Sequence, residues 1–245
     1  MNKFKPIKQP RISEEVFVQL KEAILSNGFN AGDRLPSERE LADQFQVSRV
    51  AIREAIRALE NSGFVVIRQG ATGGAYVTDL TFEQVTGACL DLFRAGKISI
   101  HELHHVRILI EPEVARLATL NATAESKQRV LQAFEAEHPP GASLSDDIAS
   151  ATKVHFILAD ICGNRFLEAI VNSVIKLNAT ILDEMKPNPP HSIHPPGLHQ
   201  TIIDAFLAGD PEAAAEAMRN HAVVFYNNLM RLEKSYRERV NIETR

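Results

Sequence analysis

Cysteine is scarce in this 245-residue sequence. Cys89 and Cys162 stand far apart and neither belongs to a C-x-x-C pair, which argues against a disulfide framework and against a thiolate metal site. Both read as free, buried, inert thiols. Long apolar runs are missing too. No segment approaches the roughly 20 apolar residues that a membrane helix needs. No apolar stretch follows Met1-Asn2-Lys3-Phe4-Lys5-Pro6, so a secretory signal is not expected and the chain is assigned to the cytoplasm. Positive charge is not in excess either. The formal net charge is −4, so a nucleic-acid role must rest on local charge.

What is present fits a soluble protein. Hydrophobic residues make up 44% and charged residues 24%, enough for a sizeable core. The length suits one large domain or two modest ones. Residues 1–79 carry 11 Lys+Arg against 10 Asp+Glu, while residues 80–245 carry 16 against 21. Any DNA-facing half is therefore expected to be the first.

Apolar periodicity predicts a helix over 11–28, with Ser13 as N-cap and Gly28 as its stop. The connection Asn30 to Pro36 is turn-rich. Ser37-Glu38-Arg39-Glu40 has the form of a capping box and opens a helix carrying Leu41, Ala42 and Phe45. After the short turn Gln46-Val47-Ser48, Ser48 caps a third helix over about 49–62. Phe64 to Arg68, a glycine-rich turn at 70–74 and Ala75 to Thr78 read as a β-hairpin. Beyond residue 80 the strand signals stop. Helices are predicted over 81–95, 99–121, 124–137, 144–162, 165–186, 198–208 and 211–238, with proline-rich breaks near 138–143 and 187–197. The expected fold is mainly α. A winged helix-turn-helix of three helices plus a hairpin (8–79) is followed by an all-α helical-bundle effector domain (80–238).

Two short helices joined by a tight turn can seat the second in a major groove. In that helix Arg49, Arg53 and Arg57 recur every four residues and share a face. Guanidiniums there suit phosphates and guanine edges, and Ser48 with the helix N-terminal amides adds phosphate contacts. Arg68, Gln69 and Gly70 at the hairpin turn suit an adjacent minor groove. The plainer reading pairs Arg53 and Arg57 with Glu54 and Glu60 as solvated surface residues.

The stretch Gly32 to Ala42, then Val47-Ser48-Arg49, then Arg53 to Leu59, resembles the GntR family of bacterial regulators over about 70 residues. The resemblance implies a dimer that reads double-stranded operator DNA. It implies contacts from Arg39, Ser48, Arg49, Arg53, Gln69 and Gly70. Val50 and Ala51 occupy positions that also face DNA in the family. Being apolar, they would touch a thymine methyl or the sugar backbone.

In the C-terminal half, His155, His199 and His221 each lie beside apolar positions that should face a core. Three imidazoles converging inside a helical bundle would make a divalent-metal site. Taken singly, each reads as a hydrogen-bonded core or boundary histidine. His101 and His105 have a metal-compatible spacing but no third partner, so the His101, His104, His105 group reads as solvent-exposed. His191 and His194, in the proline-rich loop, do not read as ligands. Arg107 suits a carboxylate, with a surface ion pair to Glu111 as the alternative. Glu111 reads as structural.

This half resembles the ligand-binding domain of the FadR subfamily. The matching residues are Val106-Arg107, Glu111, Ala115 to Ala118, His155, Cys162-Gly163-Asn164, His199, Ile203-Asp204-Ala205, Gly209-Asp210 and His221. The resemblance implies a metal, zinc or nickel, held by an aspartate and three histidines that fall on His155, His199 and His221. It also implies a small carboxylate effector, and it favours the pocket role for Arg107. The aspartate should stand one turn before His155, where this chain has Ala151. Asp147, a further turn back, would need a distorted path, and Thr152 is a poor ligand. A three-histidine site completed by water or effector, a weak site and a metal-free site all remain open.

Three functions compete. The favoured one is a homodimeric, one-component regulator, repressor or activator, controlled by a small metabolite. A hydrolase-like enzyme using a three-histidine metal would need a positioned base. No HExxH, Gly-x-Ser-x-Gly or phosphate-cradling loop supplies its machinery. An architectural DNA protein with a vestigial pocket is the third.

Overall fold

The computed structural model describes residues 12–70, 72–79, 83–137, 142–186 and 194–240. The chain separates into two compact units, Met1–Gln84 and Val85–Arg245. The mainly helical fold expected from the sequence is borne out: ten helices and one two-stranded hairpin form among the described residues.

In the first unit, α1 (Ile12–Leu25) buries Val16, Leu20 and Ile24. It begins before Ser13, so Ser13 lies inside the helix and not at its cap. Helix α2 (Glu38–Phe45) opens with the expected capping box. Ser37 Oγ accepts from the Glu40 backbone N–H, and the Glu40 carboxylate accepts from that of Ser37. Such a cap contributes about 1 kcal/mol. Gln46 then closes α2 in the left-handed region, φ 54°, which tightens the turn into α3 (Arg49–Asn61).

Helix α3 buries Ile52, Ala55, Ile56 and Leu59 against α1 and α2. Strands β1 (Val65–Arg68) and β2 (Gly74–Val77) pair antiparallel, Val65 opposite Val77. The turn-rich connection also joins the sheet. Leu35 N–H donates to Ala75 O, and Val77 N–H donates to Asp33 O. That pairing anchors the hairpin to the loop before α2, a tertiary contact that turn propensity does not foretell.

The second unit holds all but the first two residues of α4 (Glu83–Arg94), then α5 (Ile100–Leu120), α6 (Ala124–Glu135), α7 (Leu144–Ile161), α8 (Arg165–Met185), α9 (Gln200–Ala208) and α10 (Pro211–Val240). Helix α10 packs mainly on α5, and α7 on α8. Two apolar clusters form. One gathers Val114, Ala118, Val154, Leu158, Ile175, Ile202 and Phe206. The other gathers Phe93, Ile100, Leu103, Ile148, Ile181, Leu182 and Phe225. Side chains of both clusters, Ile175 from the first and Ile148, Leu182 and Phe225 from the second, line one cavity, and polar groups collect there.

Candidate functional site

That cavity is lined by Arg107 of α5, Asp147, Ala151 and His155 of α7, Asn178 of α8, His194, and His221 and Phe225 of α10. Its volume is about 40 Å³. A cavity needs roughly 10–15 Å³ to hold one water, so it takes an ion with its waters more readily than a bulky metabolite.

The three sequence-predicted histidines come together. His155 and His221 are 4% and 3% exposed, and His199, just before α9, is fully buried. One nitrogen from each lies within 4.8 Å of the others. His199 Nε2 stands 3.0 Å from His155 Nε2. Two nitrogens bound at about 2.0–2.1 Å to one ion would be about 3 Å apart, so this spacing fits a shared cation. Among the described residues neither ring nitrogen of His221 has a hydrogen-bond partner. Burial, and then the neighbouring His199, push its pKa well below the ordinary histidine value, so the ring stays neutral and keeps a lone pair for a metal.

Two carboxylates stand behind the rings. His155 Nδ1 lies 2.8 Å from Glu111 Oε2, off the axis of a straight hydrogen bond. His199 Nδ1 lies 2.5 Å from Glu137 Oε1. A carboxylate on Nδ1 fixes the tautomer that points Nε2 at a metal. Burial would raise the Glu111 pKa, but Arg107 and His155 outweigh it and hold it at about 2. For Glu137, burial followed by the charge of Asp147 lifts the pKa to about 8.

Several expectations are corrected here. Arg107 does pair with Glu111, yet the pair is fully buried and not on the surface. The guanidinium also lies over the Phe225 ring, 4.6 Å from its centroid. Glu111 touches both Arg107 and His155, so it is part of the site. Of the His101, His104, His105 group, His104 is buried and stacks on Tyr226 at 4.0 Å, while His101 Nδ1 contacts the Tyr226 hydroxyl. Burial, then Arg107, lower the His104 pKa to about 4. His194, set aside on sequence grounds, is buried, with its Nε2 at 3.2 Å from His199 Nε2. His191 lies outside the described residues. Ala151 lines the cavity where the aspartate was expected, and buried Asp147 lines it one turn earlier. Glu137 was missed. It sits just past α6 before a proline pair, with no local signal of its partner.

In the first unit, Arg39, Ser48, Arg49, Val50, Arg53, Gln69 and Gly70 are exposed, and Ala51 is half-buried. Ser48 Oγ caps α3 through the Ala51 N–H. Gly70 has φ 100°, a conformation that favours glycine at the hairpin tip. Arg53 is not paired with Glu54. It makes a bidentate contact with Glu38 at 3.0 and 2.7 Å, and Arg49 approaches the same carboxylate at 3.8 Å. Arg53 and the two neighbouring arginines hold the Glu38 pKa below its ordinary range. Glu60 accepts from the Ile67 N–H and so ties α3 to the hairpin. A groove between α2, α3 and the hairpin is lined by Arg34, Arg39 and Arg49 with Ser37, Glu38 and Gly73. Arg34, which donates to Gly73 O, was not singled out from sequence.

Comparison with known proteins bears on both units. The model described as "Bacterial regulatory proteins, gntR family" matches residues 12–77, and that of the FCD domain matches residues 102–223. The HTH-type transcriptional repressor NanR of Citrobacter rodentium is 31% identical over 89% of this chain and 85% of its own length. The NanR repressor of Cronobacter sakazakii is 29% identical over the same shares. A solved Streptococcus agalactiae GntR structure superposes with a TM-score of 0.61 at 24% identity, covering 88% of this chain and 99% of that one, a likeness of fold. These relatives are regulators, which leaves the hydrolase reading without support. No described helix is long and apolar enough to cross a membrane. The chain belongs to the gntR family of bacterial regulatory proteins and is a DNA-binding transcription regulator, not an enzyme, carrying an FCD effector domain.

Proposed function

We propose that this regulator is a cytoplasmic, homodimeric repressor whose grip on operator DNA is set by a metal-assisted carboxylate effector. The observation that carries the reading is the convergence of His155, His199 and His221 on one another, beside a cavity that His155, His221 and Arg107 line. The three histidines would hold zinc or nickel, for which imidazole is a suitable ligand. The ion would supply a Lewis-acidic, anion-attracting centre. Arg107 lines the same space; Glu111 engages its Nε and one terminal nitrogen, and the other terminal nitrogen would be left to meet an effector carboxylate. A small cavity with two cationic features selects small anionic ligands over large neutral ones.

On the DNA side, the reading assigns Arg39, Ser48, Arg49, Val50, Ala51 and Arg53 to the major groove and its phosphates. Gln69 and Gly70 at the hairpin tip are assigned to the neighbouring minor groove. The groove lined by Arg34, Arg39 and Arg49 supports this, since clustered guanidiniums suit a phosphate backbone. A two-fold dimer would place two such surfaces on two half-sites. Repression is carried over from the named activity of the relatives.

The test is elemental analysis of protein purified without chelator, beside His199→Ala, followed by operator-fragment binding with and without small carboxylates. About one zinc or nickel per chain, lost in the variant, and carboxylate-dependent release of DNA are expected. Absence of metal from the wild-type protein, even after zinc is supplied, would sink the metal reading.

A further inference from the structure

The histidine cluster has one member more than the sequence suggests. His194 precedes α9 by six residues, after a proline-rich stretch, yet it is buried. Its ring centroid lies 4.4 Å from that of His199 and 5.5 Å from that of His221. His199 Nε2 thus faces two other Nε2 atoms, His155 at 3.0 Å and His194 at 3.2 Å. The other nitrogen of His199 is engaged by Glu137 at 2.5 Å. In either tautomer the His199 ring offers a single bonding direction at Nε2, one lone pair or one N–H, which does not serve two neighbours by ordinary hydrogen bonds. Nitrogens packed at this spacing are reconciled by a shared cation, which accepts one lone pair from each ring.

We propose that His194 is a fourth metal ligand, so that the centre is built from four imidazoles with no carboxylate on the ion. This rests on the three-histidine reading above and adds a residue to it. Position 151 explains the need. Ala151 lines the cavity one helical turn before His155 and brings only a methyl group. His194 lines the same cavity and supplies a nitrogen in its place. Glu111 and Glu137 then act one step out, on Nδ1 of His155 and of His199.

Two consequences follow from the ligand type. Neutral imidazoles leave the full double charge of the ion facing the cavity, where a carboxylate ligand would have cancelled half of it. The effector must then supply the neutralising charge. An all-nitrogen set also discriminates against magnesium, calcium and manganese, which prefer oxygen, and favours zinc, nickel or copper.

The experiment uses the full-length protein, stripped with chelator and refilled with Zn(II) against a chromophoric competitor, and with Co(II) read by its visible absorption. Wild type, His194→Ala, His194→Asn and His199→Ala are compared, with melting of the metal-free forms to confirm folding. His194→Ala is expected to keep a site for one ion but to bind zinc at least about 100-fold more weakly, the upper end of what losing an outer partner costs. Its Co(II) band should shift and weaken as water replaces a nitrogen, and His194→Asn should repeat this if the alanine variant folds poorly. An unchanged Co(II) band in the His194 variants overturns the proposal whatever their affinity, because the ligand set would be the same. In that case the loss of metal from His199→Ala would still support the three-histidine site. A wild-type protein that binds neither ion overturns both.

Discussion

Glu137 Oε1 stands 2.5 Å from His199 Nδ1, while its other oxygen is buried without a hydrogen-bond partner among the described residues. A buried carboxyl held by one contact is costly unless something nearby rewards its charge. A divalent ion on the far side of the His199 ring would do so through the imidazole. Glu137→Gln keeps the shape and removes the group that would ionise beside a bound cation. The expected result is a zinc affinity weaker by about 10–100-fold, with the metal-free protein no less stable. Competition titration and thermal melting check the two halves. Undiminished affinity would mean that Glu137 only fills space.

Arg107 and Glu111 form a pair that neither can leave alone. Both are almost fully buried, and Glu111 also contacts His155. Arg107→Met would leave the Glu111 carboxylate desolvated and unpaired. Removing one partner of a buried pair costs about 3–5 kcal/mol, whereas replacing both with apolar residues is often near neutral. Urea unfolding should therefore find Arg107→Met much less stable than Arg107→Met/Glu111→Leu. Equal stabilities would show that water reaches the carboxylate.

The sequence made most of the helices legible because their apolar faces and caps are local. Ser37 with Glu40, Ser48, and Asp210 before Pro211 mark their boundaries within a residue or two. The convergence of His155, His199 and His221 was legible only through family resemblance, since 66 residues separate the first from the last. What escaped was tertiary. The Glu38 partner of Arg53 lies across the turn, 15 residues away. His104 looked exposed because nothing local announces Tyr226. His194 and Glu137 flank proline-rich breaks, where periodicity gives no face and burial has no local signature.

The DNA-facing arginines divide by their partners. Arg53 is clamped by Glu38, whereas Arg49 reaches that carboxylate only at 3.8 Å and is largely exposed. Arg49 is therefore the more available phosphate ligand in the unbound protein. Arg49→Ala should weaken binding to operator and random duplexes alike and lower the slope of log affinity against log salt by about 1. Glu38→Gln should act the other way, raising non-specific affinity by freeing Arg53. Fluorescence anisotropy over a salt series reads both. An unchanged slope in Arg49→Ala would remove it from the phosphate contacts.

His104 gives the second unit a built-in sensitivity to acid. Its ring is buried on Tyr226, its Nδ1 has no hydrogen-bond partner among the described residues, and its pKa is lowered to about 4 by burial and by Arg107. Between pH 6.5 and 4 the unfolded chain therefore binds a proton that the folded chain refuses. Stability is complete above pH 6.5 and is lost as pH falls toward 4, by about 2 kcal/mol after allowing for partial solvation. His104→Phe keeps the stack and cannot be protonated. Its unfolding free energy should fall less steeply over that window than that of the wild type, with the two curves parallel above pH 7. Parallel curves throughout would mean that the His104 ring finds water as readily in the fold as outside it.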